Sequence, residues 1–382
     1  MKFLIAGFGS IGRRHFQNLL TLGERDILFY RTHHSTLADD ELVGFRVETD
    51  LRAALSHKPD VVIVANPTAF HLDIAIPAAE MGCHVLIEKP VSHSINRVDE
   101  LITAVQRGGG KVLVGYQFRF HPALQLIARW LSTNHINSQV MPQQTRDPES
   151  LILNLRPPIY QQTQSIHHST ISNPIGRPLS FHVHWGEYLP AWHPWEDYRH
   201  GYSARSDLGG GVILTLSHPI DYLRWFFGEV SQVWAFTEHL GDLDIQTEDT
   251  AEIGLRFTSG IVGSIHLDYN QQPASHRLEI VGNQGTIRWD NEDGALHLYK
   301  ANSFEKSEGS IERGYWEVYK LPPGFERNQM FMTEMQYFLS LIHGEVGPFC
   351  TLEDGISALH LALAAKRSAQ KKEIVTVSGG TL

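Results

Sequence analysis

Cysteine is nearly missing from this chain: Cys83 and Cys350 are the only two in 382 residues. Two isolated thiols provide neither a disulfide framework nor metal-ligand spacing, so a stapled secreted domain and a zinc ribbon are excluded and a reducing cytoplasm is expected. Long hydrophobic runs are missing too; no stretch nears the roughly 20 apolar residues that span a bilayer as a helix. No basic segment leading into an apolar one opens the sequence, so a secretory signal is not expected. Positive charge is in deficit, with 32 Lys and Arg against 42 Asp and Glu and a net charge of -10. General nucleic-acid binding is therefore not expected, although a local basic pocket for a phosphate stays open.

What is present fits a globular protein, 42% hydrophobic and 19% charged, and long enough to suggest two domains. Histidine is abundant, with 22 residues. His33-His34 and His167-His168 lie in polar stretches, while His182 and His184 would share one face of a strand. That pair has no evident third ligand, so no metal is assigned and these histidines read as surface or pocket residues.

The chain is organised around HVLIEKP, His84–Pro90, in which a short apolar strand runs into Glu88, Lys89 and Pro90. In a parallel sheet this strand ends at the carboxyl edge, where open α/β sheets bind ligands. Near the start, strand Lys2–Ala6 leads into Gly7-Phe8-Gly9-Ser10-Ile11-Gly12 and a helix-like run, Arg13–Leu22. A glycine loop between a strand and a helix is the setting that dinucleotide binding requires. The first glycine allows the tight turn, the second admits a pyrophosphate and the third lets helix and strand pack.

Further strands follow at βαβ spacing: Ile27–Tyr30, Val61–Ala65, His84–Ile87 and Val112–Val114. Helix candidates Leu51–Ser56, Phe70–Met81 and Ile95–Arg107 lie between them, predicting a doubly wound parallel sheet over 1–119. After the second strand the chain reads Phe29-Tyr30-Arg31-Thr32-His33, with no acid to take ribose hydroxyls. Arg31 either pairs with a 2′-phosphate, which favours NADP over NAD, or stacks on adenine or faces solvent. The loop Asn66-Pro67-Thr68-Ala69-Phe70-His71 reads both as a turn capped by Thr68 and as a cofactor contact.

From 120 onward the pattern changes. A helix at His121–Ser132 precedes a polar stretch, 133–172, that reads as an inserted loop. Pro178–Tyr188 alternates as a strand, and Gly211–Phe227 reads as one amphipathic helix. Seven strand-like segments between Gln232 and Tyr319, separated by turn residues, predict antiparallel hairpins; Asn328–Leu341 and Leu352–Ala369, the latter capped by Thr351, read as helices. A broad sheet with one alternating apolar face needs a cover, so a homodimer or homotetramer is expected. Between strand and helix lies LPAWHPWEDYRHGYSAR, Leu189–Arg205. Its aromatic and polar side chains suit sugar rings, or else pack under a long loop; Trp192, Tyr198, Tyr202 and Arg205 are the substrate candidates.

GFGSIGRRH, ANPTAFH, IEKP and VGYQFRFHP, in this order and spacing, resemble the Gfo/Idh/MocA oxidoreductase family. The resemblance continues through Gly209-Gly210-Gly211 with His218, and through Thr351–Ser368. It implies a Rossmann domain followed, over 120–382, by an α/β domain with a large open, mainly antiparallel sheet for substrate binding and oligomerisation. The substrate would lie between the domains.

It also implies that Lys89 contacts the hydroxyl being oxidised and assists its proton transfer, with His218 nearby. Gly7, Gly9, Ser10, Ile11, Gly12, Arg31, Asn66, Pro67, Thr68, His71, Glu88 and Gln117 are the implied cofactor residues. Relatives commonly place an aspartate three or four residues before the histidine, where this chain has Thr215 and Leu214, and Asp221 is no substitute. Many carry Asn where Gln117 stands. The expected activity is hydride transfer between NADP or NAD and a carbinol carbon of a sugar, sugar derivative, inositol or nucleotide sugar. The alternative is a cofactor-binding regulator that kept the fold and lost the chemistry. Chemically, a lysine can carry the proton when burial or a neighbouring cation lowers its pKa, and a histidine can share it.

Overall fold

The structure, a computed structural model, describes residues 1–32, 40–132, 173–194, 196–301 and 314–377. The expected insertion at 133–172 lies outside the described residues.

Short apolar runs build the first sheet from β1 (Phe3–Ala6), β2 (Ile27–Tyr30), β3 (Arg46–Glu48), β4 (Val61–Val64), β5 (His84–Glu88) and β6 (Val112–Gly115). All pair in parallel, in the order β3-β2-β1-β4-β5-β6. Helices α1 (Ser10–Thr21), α2 (Leu51–Ser56), α3 (His71–Glu80) and α4 (Val98–Gly108) connect them. Strands covered on both faces are apolar throughout, as β4 is, with all four residues buried. The strand order reverses between β1 and β4, which opens a ligand crevice at their carboxyl ends. Edge strand β3 is not expected from the pattern, because Arg46-Val47-Glu48 offers one apolar residue and too few positions to show alternation.

Two local expectations are corrected. Thr68 makes no capping hydrogen bond; it opens a 3₁₀ turn, Thr68–Phe70, and is buried. The fourth helix begins at Val98 rather than Ile95, because Arg97 takes a left-handed conformation (φ 65°) that the helix cannot include.

The second domain opens with a 3₁₀ turn, Gln117–Phe120, and α5 (Pro122–Ser132). It continues through β7 (Pro178–Gly186), α6 (Val212–Thr215), α7 (His218–Phe227), β8 (Val230–Glu238), β9 (Thr250–Phe257), β10 (Val262–Asp268), β11 (Ser275–Gly282), β12 (Gly285–Asp290), β13 (Leu296–Lys300), β14 (Tyr315–Tyr319), α8 (Asn328–Ile342), α9 (Leu352–Lys371) and β15 (Val375–Thr376). The strands form one sheet, β14-β13-β12-β11-β7-β10-β9-β8-β15, antiparallel except for the β7–β10 pair. Helix α9 starts in a capping box of Thr351 and Asp354 and lies along β8 and α7, while α8 crosses to pack on α1 of the first domain. Among the described residues no helix is long and apolar enough to cross a membrane.

The single helix expected over Gly211–Phe227 is two helices, broken at Leu216-Ser217. The cause is Pro219, which has no N–H to donate to the carbonyl four residues back and whose ring crowds that carbonyl. The orphaned carbonyl is that of Thr215.

Candidate active site

The glycine loop has the stereochemistry a dinucleotide needs. Gly7 has φ 98°, and a β-carbon there would sit 2.7 Å from the Ala65 backbone. One on Gly12 would sit 2.2 Å from the Gly7 carbonyl, so the third glycine is required for helix and strand to touch. A β-carbon on Gly9 would meet none of the described residues within 4 Å, which leaves the space a pyrophosphate would use before the first turn of α1. Asn66 Oδ1 and Gln117 Oε1 are buried acceptors with no donor among the described residues. These features fit a nicotinamide dinucleotide.

Two of the proposed cofactor residues hold the scaffold instead of an open surface. Glu88 is buried, its Oε1 2.7 Å from His15 Nε2, which ties β5 to α1. The buried His71 ring has Nδ1 2.9 Å from the Pro90 carbonyl and Nε2 2.9 Å from that of Asn66. Burial pushes its pKa down, and the neutral ring, with one N–H, donates to one of these two carbonyls while lying between the loops that flank the crevice.

Lys89, half-buried at the end of β5, donates to the Thr215 carbonyl, the acceptor that Pro219 leaves without a helical donor. Burial lowers its pKa to about 8; Arg327 pushes the same way, against Glu88 and Glu187. His218, the first residue of α7, is 2% exposed. The Gln117 side-chain amide donates to its Nε2 at 3.1 Å, and its Nδ1 is buried without a partner among the described residues. Tyr116, Phe118 and Trp185 surround the imidazole. Burial first, then the charge of Lys89, holds it well below its usual pKa, so it is neutral at pH 7.

The glycine triplet brings the second domain onto the crevice. A β-carbon on Gly209 (φ 83°) would lie 2.7 Å from that of His93 and 3.1 Å from that of Thr68; one on Gly210 would lie 2.2 Å from the Tyr202 carbonyl. Tyr202 stands beside the hydroxyls of Thr215 and Ser203, and Tyr269 shares those neighbours. Trp192 packs edge-on against Tyr269 at 5.5 Å. Among the described residues, buried Thr215 Oγ1, Tyr269 Oη and Trp192 Nε1 make no hydrogen bond in good geometry.

The other two substrate candidates are not brought to this group. Tyr198 accepts from the Asp244 backbone, and Arg205 pairs with Asp207 at the surface. Asp221 serves neither lysine nor histidine: it takes both prongs of the buried Arg119 guanidinium, at 2.7 and 2.9 Å. Arg31 is buried at the end of β2, and Arg13 is near enough to lower its pKa further, after burial.

Three site residues escaped the sequence reading. Arg327, just before α8, acts on both Lys89 and His218 yet has no motif around it. Glu187 opposes it at Lys89, and His193 Nε2 reaches to 3.4 Å from Ser10 Oγ on the cofactor loop. His193 alone had a signal, inside the aromatic stretch after β7.

Residues 1–116 match the Oxidoreductase family, NAD-binding Rossmann fold, and residues 169–377 match the same family's C-terminal alpha/beta domain. An uncharacterised oxidoreductase, YrbE, of Bacillus subtilis is 26% identical across 95% of this chain and 93% of its own length. The myo-inositol 2-dehydrogenase of Thermotoga maritima is 24% identical across 98% of both chains. Among solved structures, a levoglucosan dehydrogenase in complex with NADH and levoglucosan superposes with a TM-score of 0.76 at 20% identity, covering 100% of both chains. The WlbA dehydrogenase of Bordetella pertussis, in complex with NADH and UDP-GlcNAcA, gives 0.71 at 21%, covering 99% of both; these two likenesses show a shared fold. With the glycine loop, the lysine at the end of β5 and both domain matches in place, the chain belongs to the Gfo/Idh/MocA oxidoreductases, whose first domain is an NAD-binding Rossmann fold.

Proposed function

We propose that the enzyme interconverts a hydroxyl and a carbonyl on a sugar, sugar derivative, inositol or nucleotide sugar, with Lys89 carrying the hydroxyl proton. The observation behind this is the Lys89 amine, tuned to about 8 and aimed by the Thr215 carbonyl beside a neutral His218. Nicotinamide, when bound, supplies the hydride acceptor or donor. Lys89 takes the hydroxyl proton during oxidation and returns it during reduction. His218, kept neutral and oriented by Gln117, adds a hydrogen-bonding nitrogen without adding a second charge. Trp192 Nε1, buried without a partner among the described residues, and the clustered hydroxyls of Thr215, Tyr202 and Tyr269 suit a ligand rich in hydroxyls. Trp192 and Tyr202 are the substrate residues this favours. The inositol and levoglucosan dehydrogenases among its relatives support the same substrate class.

For the cofactor, Arg31 beside Arg13, with no carboxylate in the last residues of β2, supports NADP. Glu41, which pairs with Arg13, is the acid that would serve NAD if it turned to the ribose. The enzyme is further proposed to work in the cytoplasm, as a dimer or tetramer joined through the open sheet.

The test follows nicotinamide absorbance with both dinucleotides across a panel of sugars and inositols, for the native enzyme and Lys89→Ala. The variant should lose roughly 10²–10⁴-fold in kcat, the usual contribution of a general acid–base group, while keeping its dinucleotide affinity. NADP should bind more tightly than NAD. Binding without turnover in the native protein, across the whole panel, would point to the regulator instead.

A further inference from the structure

On the face of the second sheet opposite His218, the parallel neighbours β7 and β10 set His184 and His266 side by side in register. Strand alternation sends Trp185 inward to stack on His218 and leaves His184 on the outer face. The two imidazoles stack at 4.6 Å with 12° between their planes. Asp268, two residues beyond His266 on the same face, brings Oδ2 to 3.0 Å from His266 Nε2. One ligand atom from each of His184, His266 and Asp268 lies within 4.8 Å of the other two. The two partners that His184 lacks in its own strand thus come from the neighbouring strand. His182 itself is turned away, with Nδ1 3.1 Å from Ser264 Oγ.

We propose that His184, His266 and Asp268 bind a divalent transition metal of the zinc class. Two imidazoles and a carboxylate form a donor set that suits zinc, at about 2.0–2.2 Å from each atom. Tetrahedral ligand atoms at that radius stand roughly 3.4 Å apart, so closing onto an ion needs side-chain shifts of about an ångström.

The surroundings are built as metal sites are built. Glu252 Oε1 lies 2.6 Å from His266 Nδ1, the carboxylate partner that fixes a ligating histidine's tautomer and frees Nε2 for the ion. Asp268 Oδ1 accepts the backbone N–H groups of Asn270 at 2.8 Å and Gln271 at 2.7 Å, which anchors the carboxylate and leaves Oδ2 to ligate. Gln271 Oε1 sits against His184 Nε2 and offers a fourth ligand atom, an oxygen. Gly186 makes the room: a β-carbon there would come within 2.2 Å of Asp268 Oδ2 and 2.5 Å of Gln271 Oε1. Without an ion, His266 faces a carboxylate at each nitrogen and can donate to both only as an imidazolium; an ion takes the place of the Nε2 proton. The metal would staple β7 to β10 and to the turn at 268–271, away from Lys89.

The full-length protein, without a histidine tag and stripped by a chelator, is titrated with zinc sulfate by calorimetry, and its zinc content after dialysis is measured. One zinc per chain with a micromolar or tighter Kd is expected. His184→Gln and His266→Gln should each weaken it at least 100-fold, Glu252→Gln about 10–100-fold as for other outer-shell partners, and His182→Gln not at all. Cobalt(II) in the native protein should show the visible bands of a four-coordinate ion, lost in His184→Gln. Melting of each stripped variant like the stripped native chain separates lost binding from misfolding. An isotherm unchanged by His184→Gln, or several weak sites per chain, would overturn the proposal.

Discussion

At the scale of single residues the molecule turns on the charge state of Lys89. An ordinary lysine is protonated at neutral pH and takes up no proton; burial brings this one to about 8, and Arg327 contributes to the lowering. If Lys89 carries the hydroxyl proton as proposed, oxidation needs the neutral amine, so kcat/KM in that direction should rise with pH and level off above about 8. In reduction the amine must carry its proton, so that rate should fall over the same range. Arg327→Gln removes a repelling cation, raises the Lys89 pKa and should move both limbs to higher pH. A pH–rate profile in each direction checks this, and limbs that stay in place would remove Arg327 from the site. His218 should add no limb near its usual value, because burial keeps it neutral throughout. The glycine loop between β1 and α1 and the place of Lys89 at the end of β5 were legible in the sequence because both follow from local chain geometry after a strand. Arg327 was not, because only the packing of α8 against the first domain brings its charge near the amine.

At the scale of elements the decisive events are a break and a clamp. Pro219 splits the helix after the glycine triplet, and the carbonyl it orphans becomes the Lys89 acceptor. Periodicity alone shows one apolar stripe across both pieces, which is why a single helix was expected. The clamp is Arg119, which grips Asp221 of α7 and, at 3.1 Å, Asp354 at the start of α9. Nothing in local sequence pairs these three residues, since they sit on separate elements. The same 3₁₀ turn carries Gln117, so the clamp also sets the position of Gln117 against His218. Arg119→Ala leaves Asp221 buried and uncompensated, and should cost about 3–5 kcal/mol, as for other half-removed buried pairs. Chemical denaturation measures it; a loss below about 1 kcal/mol would class the clamp with surface ion pairs.

At the scale of the whole molecule, the second sheet is covered on one side by α7 and α9 and bare on the other among the described residues. The strand alternation that made the sheet legible also made the bare face legible, since every second residue had to point away from the helices. What alternation could not show is how apolar its margins are. Trp234 and Phe236 of β8 are 41% and 64% exposed, with the Trp234 indole laid across Gly254. Trp316 and Val318 of β14, near the opposite edge, are 44% and 51% exposed. Between them run the charged and histidine-bearing strands, so the face is apolar at both ends and polar in the middle. Apolar side chains at that exposure favour a cover, and a second copy of the same face offers matching aromatic ends. Trp234→Glu with Phe236→Glu puts two like charges into such an interface without touching the Lys89 crevice. Sedimentation velocity should find the native chain as a dimer or tetramer and the double variant as a monomer that still binds dinucleotide. A native chain that sediments as a monomer at micromolar concentration would leave the sheet a one-sided wall of the active site and nothing more.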